Sequence, residues 1–321
     1  MTVPQIEVQG LSKNYNRGPP ALNEATFRYE GSGAIGYLGP NGAGKTTTLK
    51  LLTGLLRPTG GRALLNGVDV AHDRKRALSN VGAIIESPEP YPSQTVEEAI
   101  EMVSDFRSGP SRSVREEIRA LSEKLDLPPL DARCGRLSKG QRQRVSIAAS
   151  LVRDPQVIIL DEPTSGLDPK ERILIRNLLN DLKRDHLILM SSHLMQEVTE
   201  ICDQVIFINQ GQILLRDTVD NVANRFRTRA VDVEFATPML LDRIRAIGPM
   251  VEDAAVVGER RFRISFDGSS SARSAILEAL VRLGPVLTYQ SASLALEDAY
   301  LALMQGNNGT EPALATPPAA R

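Results

Sequence analysis

The segment Gly39-Pro40-Asn41-Gly42-Ala43-Gly44-Lys45-Thr46, followed by Thr47, constrains this chain more than any other. Its two spaced glycines followed by Lys and Thr have the spacing of a phosphate-binding loop. Glycines there let backbone N–H groups turn inward around an anion, and a helix opening at the loop's end adds its partial positive charge. Lys45 is placed to reach β- and γ-phosphates, and the Thr46 hydroxyl to hold Mg²⁺. With glycine at ~7% of residues, such a match arises by chance in about one chain of this length in a hundred. The flanks agree with it: residues 35–39 are a short apolar strand and residues 45–56 a helical run. A plain glycine turn is rejected.

Further strand-sized apolar runs lie at 157–160, 187–190 and 205–208, the pattern of a parallel sheet covered on both faces by helices. Residues 88–155 read as helices alone. Thr95-Val96-Glu97-Glu98 is a capping box, and residues 114–127 and 138–152 are helical runs. From about residue 228 a second unit begins. Val231, Val233 and Phe235 alternate with polar residues, as do Phe262, Ile264 and Phe266, whereas Leu240, Ile244, Ile247 and Ile276, Leu280, Leu283 recur at helical spacing. The expected architecture is α/β over residues 1–225 with a helical insert at about 88–155, then a small α+β domain over 228–305. The tail, 306–321, holds one large apolar residue, Leu314, and is expected to be disordered.

Composition removes several classes of function. Thirty-eight basic against 39 acidic side chains leave a net charge of −1, which gives no support to nucleic-acid binding through bulk charge. Aromatics at 4% and no Trp offer no base-stacking platform. Two cysteines cannot make a disulfide framework. No run approaches the ~18 apolar residues of a membrane span. The N-terminus carries no basic-then-apolar leader, so the chain is expected in the cytosol.

Val157-Ile158-Ile159-Leu160-Asp161-Glu162 is an apolar strand ending in two carboxylates. A parallel strand presents its C-terminal end where ligands bind. Asp161 is then a candidate for Mg²⁺, and Glu162 for orienting or deprotonating an attacking water. Leu137-Ser138-Lys139-Gly140-Gln141 opens a helix; Ser138 and Gln141 make a capping box there, and the same helix start suits an anion. Gly31-Ser32-Gly33-Ala34-Ile35-Gly36 matches a dinucleotide fingerprint by letters but precedes a strand, so it reads as turn glycines.

The order of these segments closely resembles the nucleotide-binding subunit of ABC transporters: phosphate loop, helical insert, Ser138–Gln141, Asp161-Glu162, Ser165-Gly166-Leu167-Asp168, and His193 after a strand. The resemblance covers roughly residues 3–220. It implies a P-loop ATPase core with ATP and Mg²⁺ as ligands. Matched residue by residue, it makes Tyr15 the aromatic that stacks on adenine and Ser138, Gly140 and Gln141 the signature that touches the γ-phosphate held by the opposite subunit. Asp168 becomes the residue that couples the two sites, and also a good N-cap before Pro169. His193 becomes the γ-phosphate sensor. His72 and His186 match nothing and are expected to be ordinary surface residues.

Two departures stand out. Lys139 takes the place of a signature glycine, and Glu86 stands where the family usually has Gln, as a possible Mg²⁺ ligand that brings extra negative charge. Glu86, with Pro88, Tyr91 and Thr95 after it, resembles the exporter ATPases of bacitracin resistance and lantibiotic immunity. A C-terminal accessory domain with a segment like Leu296-Glu297-Asp298-Ala299-Tyr300-Leu301 also occurs in that broad group, where it serves dimer support, regulation or stability. The resemblance implies a homodimer, or a pair with a related ATPase, on the inner face of the cell membrane. There it would drive a separate integral membrane permease that exports a peptide, antibiotic, lipid or other hydrophobic compound. A soluble mechanical ATPase of the same superfamily, acting on ribosomes, DNA or an assembly scaffold, is the rival reading.

Overall fold

A computed structural model of the chain describes residues 3–15, 18–86, 89–108, 114–225, 230–291 and 296. The expected disordered tail at 306–321 and all of the 296–301 segment except Leu296 lie outside the described residues. The chain divides into two compact units, one running to Thr218 and one beginning at Val219.

The first unit opens with β1 (Gln5–Lys13) and β2 (Leu22–Glu30), antiparallel partners that set Ile6 against Tyr29 and Val8 against Phe27. Next come β3 (Gly33–Leu38), α1 (Lys45–Leu52), β4 (Gly60–Leu65), β5 (Val68–Asp69), α2 (Arg74–Leu78) and β6 (Val81–Ile84). Helices α3 (Val96–Ser108), α4 (Val114–Lys124) and α5 (Lys139–Leu151) form the helical insert, with a 3₁₀ turn at Cys134–Arg136 before α5. The capping boxes expected at α3 and α5 both form: Thr95 with Glu98, and Ser138 with Gln141. The unit closes with β7 (Val157–Asp161), α6 (Pro169–Leu182), β8 (Leu187–Ser192), α7 (Met195–Ile201), β9 (Gln204–Asn209) and β10 (Gln212–Thr218).

Two sheets organise these elements. Six strands run in the order β10-β9-β3-β8-β7-β6, with every neighbouring pair parallel except β10–β9. Every residue of β7 and of β8 is buried, as strands covered on both faces require. A second sheet, β2-β1-β4-β5, is antiparallel throughout. Its apolar residues, among them Ile6, Phe27 and Leu65, share one core with Leu49 and Leu52 of α1. Burying each such side chain contributes on the order of 1.5–3 kcal/mol before conformational entropy is counted. The marks of this sheet in the sequence are the alternation of Ala25, Phe27 and Tyr29 with polar residues in β2 and the two-residue Asn66-Gly67 turn between β4 and β5. One histidine also corrects the expectation of surface placement: His186 is buried at the start of β8, with its Nδ1 2.7 Å from the Pro155 carbonyl oxygen.

The second unit holds α8 (Val219–Arg225), β11 (Ala230–Phe235), α9 (Leu241–Arg245), β12 (Asp253–Val256), β13 (Arg261–Ser265), α10 (Ser270–Leu283) and β14 (Val286–Ser291). Its antiparallel sheet has the order β12-β13-β11-β14. Val231, Val233, Phe235, Phe262 and Ile264 pack against Ile244 of α9 and Ile276 and Leu280 of α10. Helix α9 is shorter than the apolar spacing suggests, because Leu240 is its exposed N-cap rather than a core residue. The alternate strand positions carry ion pairs, Arg261 with Glu234 and Arg263 with Asp232. Exposed pairs of this kind are worth only ~0.2–1 kcal/mol each.

Candidate functional site

Three neighbouring parallel strands set the site. β3, β8 and β7 lie side by side in register, pairing Leu38 with Ser192 and Asp161 with Ser191. Their C-terminal ends therefore bring the phosphate loop, the Asp161-Glu162 pair and the Ser191–His193 segment to one edge, the ligand edge of an α/β sheet.

The loop follows β3 directly. Gly44 has φ +108°, and a Cβ on it would lie 2.3 Å from the Ala21 carbonyl oxygen, so a larger residue is excluded both by conformation and by space. A Cβ on Gly39 would lie 2.3 Å from the Ile208 carbonyl oxygen. No side chain caps α1 at Gly44. The first-turn amides of a helix have no intrahelical acceptor, so those of Lys45, Thr46 and Thr47 are available to an anion. Asn41, Gly42, Gly44, Lys45, Thr46, Thr47 and Glu162 line an open cavity over the loop. Pro40 contributes its carbonyl, which accepts from the Ala43 N–H at 3.1 Å and closes the turn.

Around the cavity the side chains already meet. The Lys45 ammonium, 6% exposed, donates to the Gly39 and Pro40 carbonyls at 2.8 and 3.3 Å and lies 3.6 Å from Glu162 Oε1. Thr46 Oγ1 donates to Asp161 Oδ2 at 2.9 Å, and Ser191 Oγ donates to Asp161 Oδ1 at 2.5 Å. Both oxygens of this nearly buried carboxylate are thus held. Glu162 stands at φ +47°, a region costing a non-glycine residue of order 1–3 kcal/mol. Its N–H donates to Ser191 O and Oγ at 3.2 and 3.0 Å, which holds that turn in place. The turn aims Glu162 Oε2 at His193 Nδ1, 3.0 Å away. Behind the site, Tyr37 Oη contacts Thr48 Oγ1 at 3.2 Å, and burial pushes the phenol well above its ordinary pKa.

The remaining sequence-selected residues are not gathered in that cavity. Ser138 accepts from the Gln141 N–H at 3.1 Å and caps α5, with its side chain at an exposed helix start. A Cβ on Gly140 would collide with the Glu171 carboxylate of α6, 1.7 Å away. Asp168 caps α6 by accepting from the Glu171 N–H at 2.9 Å. Tyr15 is half exposed, with Lys13 Nζ 5.2 Å from its ring centroid. Glu86, at φ +65°, has a mostly exposed carboxylate paired with Lys50 of α1 at 2.5 Å. Ser191, which holds Asp161, and Lys50, which pairs with Glu86, are partners that no motif marks. The Ser191-Ser192 pair that closes the otherwise apolar β8 just before His193 was the one available signal, and only for Ser191.

For Mg²⁺ the donor set fits. Thr46 and Asp161 offer two hard oxygens already in contact, and this ion is commonly held by one or two such groups together with substrate phosphates. Among the described residues no group of three or more His, Cys, Asp and Glu side chains could hold a metal by itself.

Comparison with known proteins places the chain in a family. Residues 22–165 match the ABC transporter family model. Over 305 residues the chain is 30% identical to the Nod factor export ATP-binding protein I of Ralstonia nicotianae, covering 94% of each chain. A solved ATP-binding subunit of an ABC transporter superposes with TM-score 0.63 at 27% identity, covering 69% of this chain and 92% of that one. At 22% identity, a dimeric ATP-binding cassette bound to ADP and Pi shares the fold, with TM-score 0.61 over 67% of this chain and 98% of that one. The chain belongs to the ATP-binding proteins of ABC transporters and is an ATPase of that class. No helix among the described residues is long and apolar enough to cross a membrane.

Proposed function

We propose that this protein hydrolyses ATP as one half of a dimer that drives a separate membrane permease, and that the cargo moves outward. The observation that carries the reading is the convergence of Lys45, the Thr46–Asp161 pair and the Glu162–His193 pair at three adjacent strand ends. The loop amides and Lys45 hold the β- and γ-phosphates, and Tyr15 offers its ring to adenine. Thr46 and Asp161 hold Mg²⁺, with Glu86 as a further oxygen donor; the ion neutralises charge that builds on the phosphates.

Glu162 takes a proton from the attacking water while the water oxygen bonds to the γ-phosphorus and the bond to the bridging oxygen breaks, giving ADP and phosphate. His193 steadies the Glu162 carboxylate and faces the γ-phosphate. Ser138, Gly140, Gln141 and Asp168 belong to the partner's site, so two copies of this chain, or this chain and a related ATPase, complete two shared sites. Outward transport of a peptide, antibiotic, lipid or similar hydrophobic compound is supported by the likeness to a Nod factor export protein. The protein then sits peripherally on the inner face of the membrane, held there by its permease, and no nucleic acid takes part.

Phosphate release by the full chain with ATP and Mg²⁺ tests this reading. Glu162→Gln should bind ATP as the parent does and lose ~10²–10⁴-fold in turnover, the usual contribution of a well-placed base. Wild-type turnover in Glu162→Gln would remove that residue from the chemistry.

A further inference from the structure

Two loops of the ATPase edge have no covalent reason to move together. One runs from Glu162 to Asp168 and starts α6; the other carries Ser192 and His193 and starts α7. Besides the Glu162–His193 contact, a second, half-buried carboxylate joins them. Thr164 Oγ1, on the first loop, donates to Glu197 Oε1 at 2.6 Å, and Ser192 Oγ, on the second, donates to Glu197 Oε2 at 3.0 Å. Both hydroxyl residues are nearly inaccessible, at 3% and 2% exposure, so water cannot readily replace the carboxylate as their acceptor. Ser192 Oγ also accepts from the Leu194 N–H at 3.0 Å, which fixes the backbone on the far side of His193.

The connection extends on the other side to α5. Gln143 Nε2 donates to the Pro163 carbonyl at 3.2 Å, one residue before Thr164. A continuous path therefore leads from the helix that begins at Ser138, through Pro163-Thr164, across Glu197, to Ser192 and His193. We infer that Glu197 is a positioning residue that locks the Glu162–Asp168 loop to the His193 loop, so that the segment offered to the partner and the histidine of the chain's own site adopt one arrangement. The inference rests on the shared-site reading above for its functional consequence, but the lock itself is a property of the chain alone.

The lock should require a side chain long enough to hydrogen-bond both hydroxyls. Glu197→Gln keeps a side chain of the same shape that still meets both hydroxyls, because a hydroxyl can accept as well as donate. Glu197→Ala removes both partners. Since Lys45, Thr46 and the loop amides are untouched, ATP affinity should stay within ~2-fold in Glu197→Ala while kcat falls ~10- to 10²-fold, the scale of a misplaced reacting group. Glu197→Gln should recover most of that loss. Gln196→Ala, on the exposed side of the same helix, should match the parent.

Hydrogen exchange of the full chain, with thermal unfolding to confirm folding, reads the lock independently of activity. In Glu197→Ala the amides of Ser165 and Leu167 on one loop and of Leu194 on the other should exchange faster together, by roughly tenfold or more for a local opening eased by about 1.4 kcal/mol. In Glu197→Gln they should exchange near the parental rate. Acceleration on one loop only, no acceleration, or a glutamine variant as impaired as alanine would overturn the inference. If the parent chain hydrolysed no ATP, the functional reading would fall while coupled exchange still established the lock. An active parent with unchanged kcat and unchanged exchange in Glu197→Ala would remove the lock and leave the functional reading intact.

Discussion

The loop side of the site and the helix start at Ser138 lie in the same chain but differ in how complete they are. At the loop, Lys45, Thr46, Asp161, Glu162 and His193 are joined by contacts of 2.9–3.6 Å before any ligand is considered. At Ser138 and Gly140 the contacts among the described residues are those of a helix being capped and of Glu171 packed close to a glycine. Neither residue lines the cavity over the loop. A region whose polar groups close on one another is a binding centre within the chain. A helix start that leaves its end exposed, beside the Asp168 loop, is a surface with something to offer another molecule. The contrast is what a composite site predicts of each separated half.

The sharpest way to break this comparison is to damage each half alone. Lys45→Ala removes charge-assisted bonds to phosphate worth about 1.5–3 kcal/mol each, so ATP affinity measured by equilibrium titration should fall ~10- to 10²-fold. Ser138→Arg should leave the affinity of the isolated chain within ~2-fold and yet lower turnover by ~10-fold or more, since in the proposed shared site the long side chain would block the partner's γ-phosphate. If Ser138→Arg weakened nucleotide binding as much as Lys45→Ala did, the helix start would belong to the chain's own site.

Glu86 sharpens the comparison further. Its carboxylate is exposed and tied to Lys50 rather than to the Thr46–Asp161 pair. Glu86→Ala should lower permease-stimulated ATPase more than basal ATPase, by a few-fold, on the scale of ~1 kcal/mol for a partly exposed charged contact. Equal losses would make it a plain Mg²⁺ ligand, and no loss would make it a solvated loop residue. The smallest effect belongs to Lys139. Its ammonium lies over Gly166, where a Cβ would come within 2.1 Å of it. Lys139→Gly should change turnover less than ~2-fold, in the ±0.5 kcal/mol range of surface substitutions.

Both halves could be read from sequence where a local pattern marks them, and not where long-range pairing places a residue. The loop and the Asp161-Glu162 strand end were legible because a local pattern carries each: glycines where φ is positive, and an unbroken apolar run where both faces are covered. The capping of α5 by Ser138 and Gln141 was legible for the same reason. The pairing of β1 with β4 was not, because contacts such as Ile6 with Leu65 join residues far apart in the chain. The role of Ser191 was hidden too. It depends on the register that sets β8 beside β7, and a one-residue slip would turn its hydroxyl away from Asp161. His186 defied a surface assignment because the groups it meets, the Pro155 carbonyl and the Asp154 carboxylate, lie some thirty residues away in the chain.

The composite site itself is tested most directly by mixing two disabled proteins. Each Lys45→Ala homodimer and each Ser138→Arg homodimer carries two damaged sites. A mixed dimer gathers both lesions into one site and leaves the other with an intact loop and an intact helix start. Size-exclusion measurement of ATP-dependent dimers, with phosphate release recorded on the same samples, should therefore show recovery when the two variants are mixed. A chain carrying both substitutions should recover nothing. Absence of ATP-dependent association and of phosphate release in the mixture, with subunit exchange demonstrated by differently tagged chains, would contradict the assignment of Ser138 to the partner's site.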